Sequence, residues 1–295
     1  MANTDLEGAF TALATPFDND LDIDVTGFRQ NIDFQIEQGI NGLVPMGTTG
    51  ESPTMSREEH EVVVELVVDQ ANGRVPVIAG AGSNNTEEAL HYTKHAEDVG
   101  ADAALVICPY YNKPTQEGLY EHFKTVAENV NIPIVLYNVP GRTGRNIDAD
   151  TIIRLSEIDN IVAVKEASGN LDQMMDIIKG TEDDFLVLSG DDGLTFPLLA
   201  LGGKGVISVA SNIVPDILSE MVAAYFKGKI NVSKALHYKY LDLFRIIFVE
   251  TNPAPIKEAM DLMGMPAGSL RLPLVPVSPE SSDKIEVVLK ELELL

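Results

Sequence analysis

IVAVKEAS, residues 161–168, sets a lysine and a glutamate at the end of an apolar run. Its closely spaced β-branched residues predict a strand. Lys165 and Glu166 interrupt an otherwise apolar pattern. Side chains alternate along a strand, so Ile161, Ala163, Lys165 and Ala167 are expected on one face. Small alanines on either side of the lysine leave room around its amine. A buried ammonium carries a large desolvation cost unless it is paired or gives up its proton. A lysine made nucleophilic in this way forms a Schiff base with a carbonyl. The competing reading is an edge-strand lysine whose amine snorkels to water.

Working outward, eight apolar runs recur, at 9–17, 42–47, 75–82, 103–111, 132–138, 161–168, 185–192 and 205–212, each ending near polar or glycine-rich residues. Helical patterns lie between them. Ser56 and Glu59 form a capping-box signature at the start of SREEHEVVVELVVDQA. Residues 86–99, 120–130, 149–156, 171–179 and 194–201 supply further helices. Asn170 is expected to cap 171–179, with Gln173 in the reciprocal position. Strand alternating with helix predicts a parallel sheet covered by helices. Eight such units fit a (β/α)8 TIM barrel more simply than an open doubly wound sheet, and no convincing G-x-G-x-x-G follows a strand. After residue 212 the strand rhythm stops. Residues 215–226, 232–249, 255–263 and 279–295 read as helices, the first closing the barrel and the rest forming a C-terminal helical extension. The expected division is a catalytic barrel over 1–228 and a helical layer over 229–295. The apolar run at 240–249 requires cover from other elements or from a partner.

Composition narrows the function. The 295 residues suffice for one large α/β domain. The formal charge is −24, from 45 acidic and 21 basic residues, and no Lys/Arg cluster offers a nucleic-acid footprint. MANTDLEGAF at the start lacks a basic region before an apolar run, so no secretory signal is expected, and no run of 18 apolar residues predicts a membrane span. A cytoplasmic protein is expected. Cys108, the only cysteine, has no internal disulfide partner and reads as buried packing. If the substrates are anionic, the pocket must be locally positive against the global field.

In a barrel of this kind, reactive groups collect at the C-terminal ends of the strands. Those ends offer Thr11 and Thr15; GTTGES, residues 47–52; Tyr110, Tyr111 and Asn112; Tyr137, Asn138 and Arg142; Lys165; Asp191 and Asp192; and Ser208 with Asn212. Schiff-base chemistry needs a proton shuttle, and Tyr137 lies one strand from Lys165. Thr48 and Thr49 supply hydroxyls, and their backbone amides, in a turn allowed by Gly47 and Gly50, can hold a small carboxylate. Arg142 is the natural bidentate anion clamp. The ordinary alternatives are a strand-to-helix turn, a core tyrosine and a solvated arginine. Asp191–Asp192 reads as a helix cap rather than a metal site, since no histidine lies near it in sequence, and no metal is expected. GGKG at 202–205 falls where some barrels hold phosphate; its glycines also serve close backbone approach.

GTTGES, CPYYNKPTQEGLYEHF, YNVPGRTG, VKEASG, LSGDD, GVISVASN and ETNPAPIKEAM stand in this order and span nearly the whole chain. Together they resemble the dihydrodipicolinate synthase family of the pyruvate-dependent class I aldolase superfamily. PGRTG is the most discriminating of them, because it carries that family's arginine. The resemblance implies a covalent imine between Lys165 and pyruvate, with no other cofactor. It implies a proton relay of Tyr137, Thr49 and Tyr111, with Tyr111 reaching in from a neighbouring subunit. Thr48 and Thr49 would hold the pyruvate carboxylate, Ile207 and Gly190 would line the pocket, and Arg142 would receive the carboxylate of L-aspartate 4-semialdehyde. It further implies a homotetramer built as a dimer of dimers, acting in lysine and diaminopimelate biosynthesis. Ser52, His60, Asn84, Glu88 and Tyr110 match a lysine-feedback site. Pro53 and Arg57 depart from the common pattern of alanine and histidine there. Arg57 adds positive charge near a cationic ligand, so weak or absent lysine inhibition is expected. The rival within the fold is an aldolase for 2-keto-3-deoxy sugar acids or N-acetylneuraminate, which would normally lack Arg142. A non-catalytic ligand-binding barrel is the rival of another class, and it predicts no covalent adduct.

Overall fold

The computed structural model describes residues 6–295. The strands are β1 Gly8–Ala12, β2 Gly42–Val44, β3 Ile78–Gly80, β4 Ala103–Ile107, β5 Ile134–Asn138, β6 Ile161–Glu166, β7 Leu186–Ser189 and β8 Gly205–Ser208. The helices are α1 Val25–Glu37, α2 Arg57–Ala71, α3 Thr86–Asp98, α4 Gln116–Ala127, α5 Pro140–Thr143, α6 Ala149–Ser156, α7 Leu171–Gly180, α8 Thr195–Leu201, α9 Pro215–Phe226, α10 Ile230–Ile246, α11 Ala254–Leu262 and α12 Pro279–Glu291. All eight expected strands form, each shorter than its apolar run because the polar ends become loops.

The strands pair in parallel in the order β2-β1-β8-β7-β6-β5-β4-β3. A bridge between Leu43 and Val77, with Leu43 N donating to Pro76 O at 3.0 Å, brings β2 to β3. The result is a nearly closed TIM barrel. Phe10, Val44, Ile78, Leu105, Val135 and Leu188 fill its interior. A second, larger apolar layer packs the outer faces of the strands against the helices. Burial on both faces is why the strands read as continuous apolar runs. The helix α9 packs on β1 as the eighth barrel helix, α10 lies along α9, and α12 rests on α10 and α11. The expected apolar run at 240–249, at the end of α10 and just beyond it, is covered in part: Tyr240, Leu243, Phe244 and Ile247 are buried, while Phe248 and Val249 stay exposed.

Four expectations need correction. Ile161 does not share a face with Ala163 and Lys165. The β5–β6 register slips where Ile134 pairs with Ile161 but Val135 pairs with Ala163. The extra residue sends Ile161 to the outer layer and leaves Ala163 in the interior. Thr11 is not a mouth residue; its hydroxyl donates to Gln35 Oε1 at 2.5 Å, on the helix side of β1. Asn170 caps α7, but Gln173 does not complete a box, because its amide donates to Glu166 Oε2 at 3.0 Å. The helix α1 is absent from those read in the sequence. Its buried face carries Asn31 and Gln35 beside Phe28 and Ile32, and these polar residues blur the apolar period. They bond to Pro266 O at 2.6 Å and Asn212 O at 3.1 Å, so their burial is satisfied. By contrast Ser56 and Glu59 form the full capping box, at 3.1 and 2.8 Å.

The packing of α4 has a consequence for acid stability. His122 is buried with Nδ1 2.9 Å from Thr86 Oγ1, and Nε2 has no partner among the described residues. Burial pulls its pKa from 6.5 down to about 4. As the pH falls below about 6.5 the unfolded chain binds a proton that the native state refuses. Stability present above that pH is therefore lost on the way down, at about 1.4 kcal/mol per pH unit for one proton. His122→Gln should flatten the fall in urea-unfolding free energy between about pH 6.5 and 4.5 by about 2–3 kcal/mol. An unchanged slope would show that His122 is not the titrating group.

Candidate active site

Lys165 leaves the end of β6 toward the barrel mouth and is 6% exposed. Its Cα pairs in register with Tyr137 on β5, and its Nζ lies 4.3 Å from the centre of the Tyr137 ring. No carboxylate among the described residues forms an ion pair with it. Glu166, the next residue, turns to the opposite face. There it accepts from Asn138 Nδ2 at 2.9 Å, Ser168 N at 2.7 Å and Gln173 Nε2. These bonds fix the strand end and thereby the direction of the lysine.

Gly190, just past β7, presses against the same side chain. A Cβ there would stand 3.1 Å from Lys165 Cε and 2.6 Å from Ala167 Cβ, so this approach requires glycine. Ile207 of β8 belongs to the interior layer below. The two aspartates after β7 are occupied locally. Asp191 Oδ1 accepts from Gly193 N at 2.8 Å. Asp192 accepts from the Ser208 hydroxyl and the amides of Val209 and Ala210, pinning the end of β8. Burial raises the Asp192 pKa to about 6.

A cavity of about 450 Å³ is lined by Gly47, Thr48, Tyr137 and Arg142 among others; Tyr137 thus meets both this cavity and the Lys165 amine. Thr49 is buried behind Thr48, and its hydroxyl accepts from Asn252 Nδ2 at 3.0 Å. Arg142 sits on the one-turn helix α5 and donates from Nη2 to Asn252 O at 3.2 Å. Four of the residues matching a feedback site, Ser52, His60, Glu88 and Tyr110, line the same cavity. The fifth, Asn84, donates to Tyr110 O at 3.1 Å. His60 stacks on Tyr92 with ring centroids 4.0 Å apart, and burial lowers its pKa to about 4. Tyr111 joins none of this within its own chain. It is 89% exposed and has a φ of +69°, an unusual backbone state for a bulky residue.

Sequence reading missed what holds the GTTGES turn in place. Lys257 of α11 is buried and donates to Glu51 Oε1 at 2.9 Å, Thr15 O at 3.0 Å and Ser269 O at 2.7 Å. Arg271 N donates to the other Glu51 oxygen, and its guanidinium forks onto Glu59. ETNPAPIKEAM holds both Asn252 and Lys257, a lysine set in an apolar helix start; that was the available signal.

Known proteins resemble this chain over nearly its whole length. The model of the dihydrodipicolinate synthetase family matches residues 5–292. The chain belongs to that family. A 4-hydroxy-tetrahydrodipicolinate synthase of Archaeoglobus fulgidus is 51% identical over 289 residues, 98% of this chain and 99% of the relative. A crystal structure of dihydrodipicolinate synthase superposes with a TM-score of 0.96 at 54% identity, covering 98% of this chain and 100% of that one. A monomeric dihydrodipicolinate synthase variant is 45% identical with a TM-score of 0.96, covering 98% of this chain and 97% of its own. The family places the chain among lyases of the class I aldolase superfamily.

Proposed function

We propose that this chain condenses pyruvate with L-aspartate 4-semialdehyde to give 4-hydroxy-tetrahydrodipicolinate and water, a step of lysine and diaminopimelate synthesis. The observation that carries the reading is the buried Lys165 amine over the ring of Tyr137, which in turn lines a cavity together with Thr48 and Arg142. The Lys165 amine attacks the pyruvate carbonyl carbon. The carbinolamine expels water to leave the imine, with Tyr137 and Thr49 moving the protons. Loss of a methyl proton gives the enamine, whose carbon attacks the aldehyde. The substrate's own amine then closes the ring on the imine carbon and releases Lys165. The covalent imine takes the place of a cofactor, and no metal takes part.

Backbone amides at Thr48 and Thr49 serve the pyruvate carboxylate, and the Arg142 guanidinium serves that of the semialdehyde. This local positive charge works against a chain of net −24. Tyr111 reaches the relay of a second copy, which accounts for its exposure and its strained backbone. A tetramer of two tight dimers follows from this reading, as does a barrel at 1–228 served by a layer at 229–295. Among the described residues no helix is long and apolar enough to cross a membrane, and a cytoplasmic location belongs to the same reading. Ser52, His60, Asn84, Glu88 and Tyr110 form the site for lysine, with Arg57 opposing that cation.

The test is a coupled assay with both substrates, run beside borohydride trapping of the pyruvate adduct and peptide mapping. Arg142→Ala should lose about 10²-fold or more with the semialdehyde while trapping pyruvate on Lys165 as before. Equal loss in both measurements would remove Arg142 from its role. An adduct on another residue would overturn the reading.

A further inference from the structure

We propose that Asn252 is a positioning residue that sets the direction of the Thr49 proton. Its side chain is buried, 4% exposed, and it lies 203 residues from Thr49 in sequence. The Nδ2 group donates to Thr49 Oγ1 at 3.0 Å, while Oδ1 is buried without a partner among the described residues. A hydroxyl carries one proton. Because Thr49 Oγ1 accepts from Asn252, and donates to no group among the described residues, that proton remains free for the reaction. The opposite amide orientation would put Oδ1 on the hydroxyl and draw the proton away from the site. Either orientation leaves one polar atom of the buried amide without a partner, so the bond to Thr49 is what distinguishes them. The main chain of the same segment is held as well: Asn252 O accepts from Arg142 Nη2, and Lys257 donates to Glu51 at the end of the Thr48–Thr49 turn. One residue of the C-terminal layer thus meets both the relay hydroxyl and the anion clamp.

The inference rests on Thr49 acting in the relay of the proposed function. Asn252→Asp separates the two amide orientations, since a carboxylate keeps the shape but only accepts. It should capture the Thr49 proton and slow imine formation, measured by rapid quench into borohydride, by about 10²-fold at about pH 8. The KM for the semialdehyde should stay within about threefold, because Arg142 is held by the Asn252 backbone. The rate should recover as the pH falls and the carboxyl becomes a donor, a signature that a purely structural defect would not give. In a Thr49→Val background the loss caused by Asn252→Asp should vanish. If the Asn252→Asp variant does not fold, Asn252→Ala should slow imine formation about tenfold. Wild-type rates in either variant, or an undiminished loss in the Thr49→Val background, would overturn the inference. Wild-type protein that traps no pyruvate at all would instead overturn the proposed function.

Discussion

Replacing Lys165 by alanine should lower kcat/KM by about 10³-fold or more, some 4 kcal/mol of barrier, and abolish borohydride trapping of pyruvate. In the proposed reaction this amine forms the covalent bond itself, and among the described residues no other amine stands over the Tyr137 ring. What remains without it is binding by the Thr48–Thr49 turn and Arg142, which positions substrates but makes no enamine. Stability should move the other way or barely at all. Lys165 is buried with no ion-pair partner among the described residues, its amine 4.3 Å from the centre of an aromatic ring. Removing such a group relieves a desolvation cost that offsets the lost packing. Activity lost with the melting temperature kept is therefore the expected pair of results. A Lys165→Ala protein that retained about a tenth of its activity would place the chemistry elsewhere.

The second large effect lies away from the chemistry. Lys257 and Glu51 are 3% and 0% exposed at their side chains. Burial holds the Lys257 pKa below its ordinary value, with Glu51 pulling the other way. Lys257→Met leaves the Glu51 carboxylate buried with only the Arg271 amide to meet it, and strips a donor from Thr15 O and Ser269 O. An uncompensated buried charge costs about 3–5 kcal/mol. That corresponds to a melting temperature lower by roughly 5–10 °C in a chain of this size. Activity should fall as well, since Glu51 ends the turn that presents Thr48 and Thr49. Adding Glu51→Gln to the variant should recover at least half of the lost stability, as neutralising the stranded charge removes most of the penalty. A single variant as stable as the wild type would mean that the pair does not anchor the turn.

Much of the molecule was legible in the sequence. Each strand of a parallel barrel is buried on both faces, so each leaves an unbroken apolar run. Motifs at the strand ends named Lys165, Tyr137, Thr48 and Arg142, because barrel topology sends those ends to one mouth. Local chemistry was legible where the partners are local, as in the Ser56–Glu59 box. It failed where a partner is remote. Gln173 abandons its cap for Glu166, and Thr11 turns to Gln35, because tertiary neighbours offer stronger bonds than the chain nearby. The polar inner face of α1 hid that helix for the same reason.

The residues that make the site a rigid device were decided by the tertiary structure alone. Asn252 reaches Thr49 across 203 positions and Lys257 reaches Glu51 across 206. Periodicity and motif spacing report what a residue meets within a turn or a strand. They carry no record of which distant donor will complete a buried hydroxyl or carboxylate. The barrel, and a lysine and a tyrosine brought together at its strand ends, were thus written in the sequence. The bond from Asn252 to Thr49 and the anchoring of the turn by Lys257 arise only from the tertiary fold, because a buried polar group must be satisfied by whatever the fold brings to it.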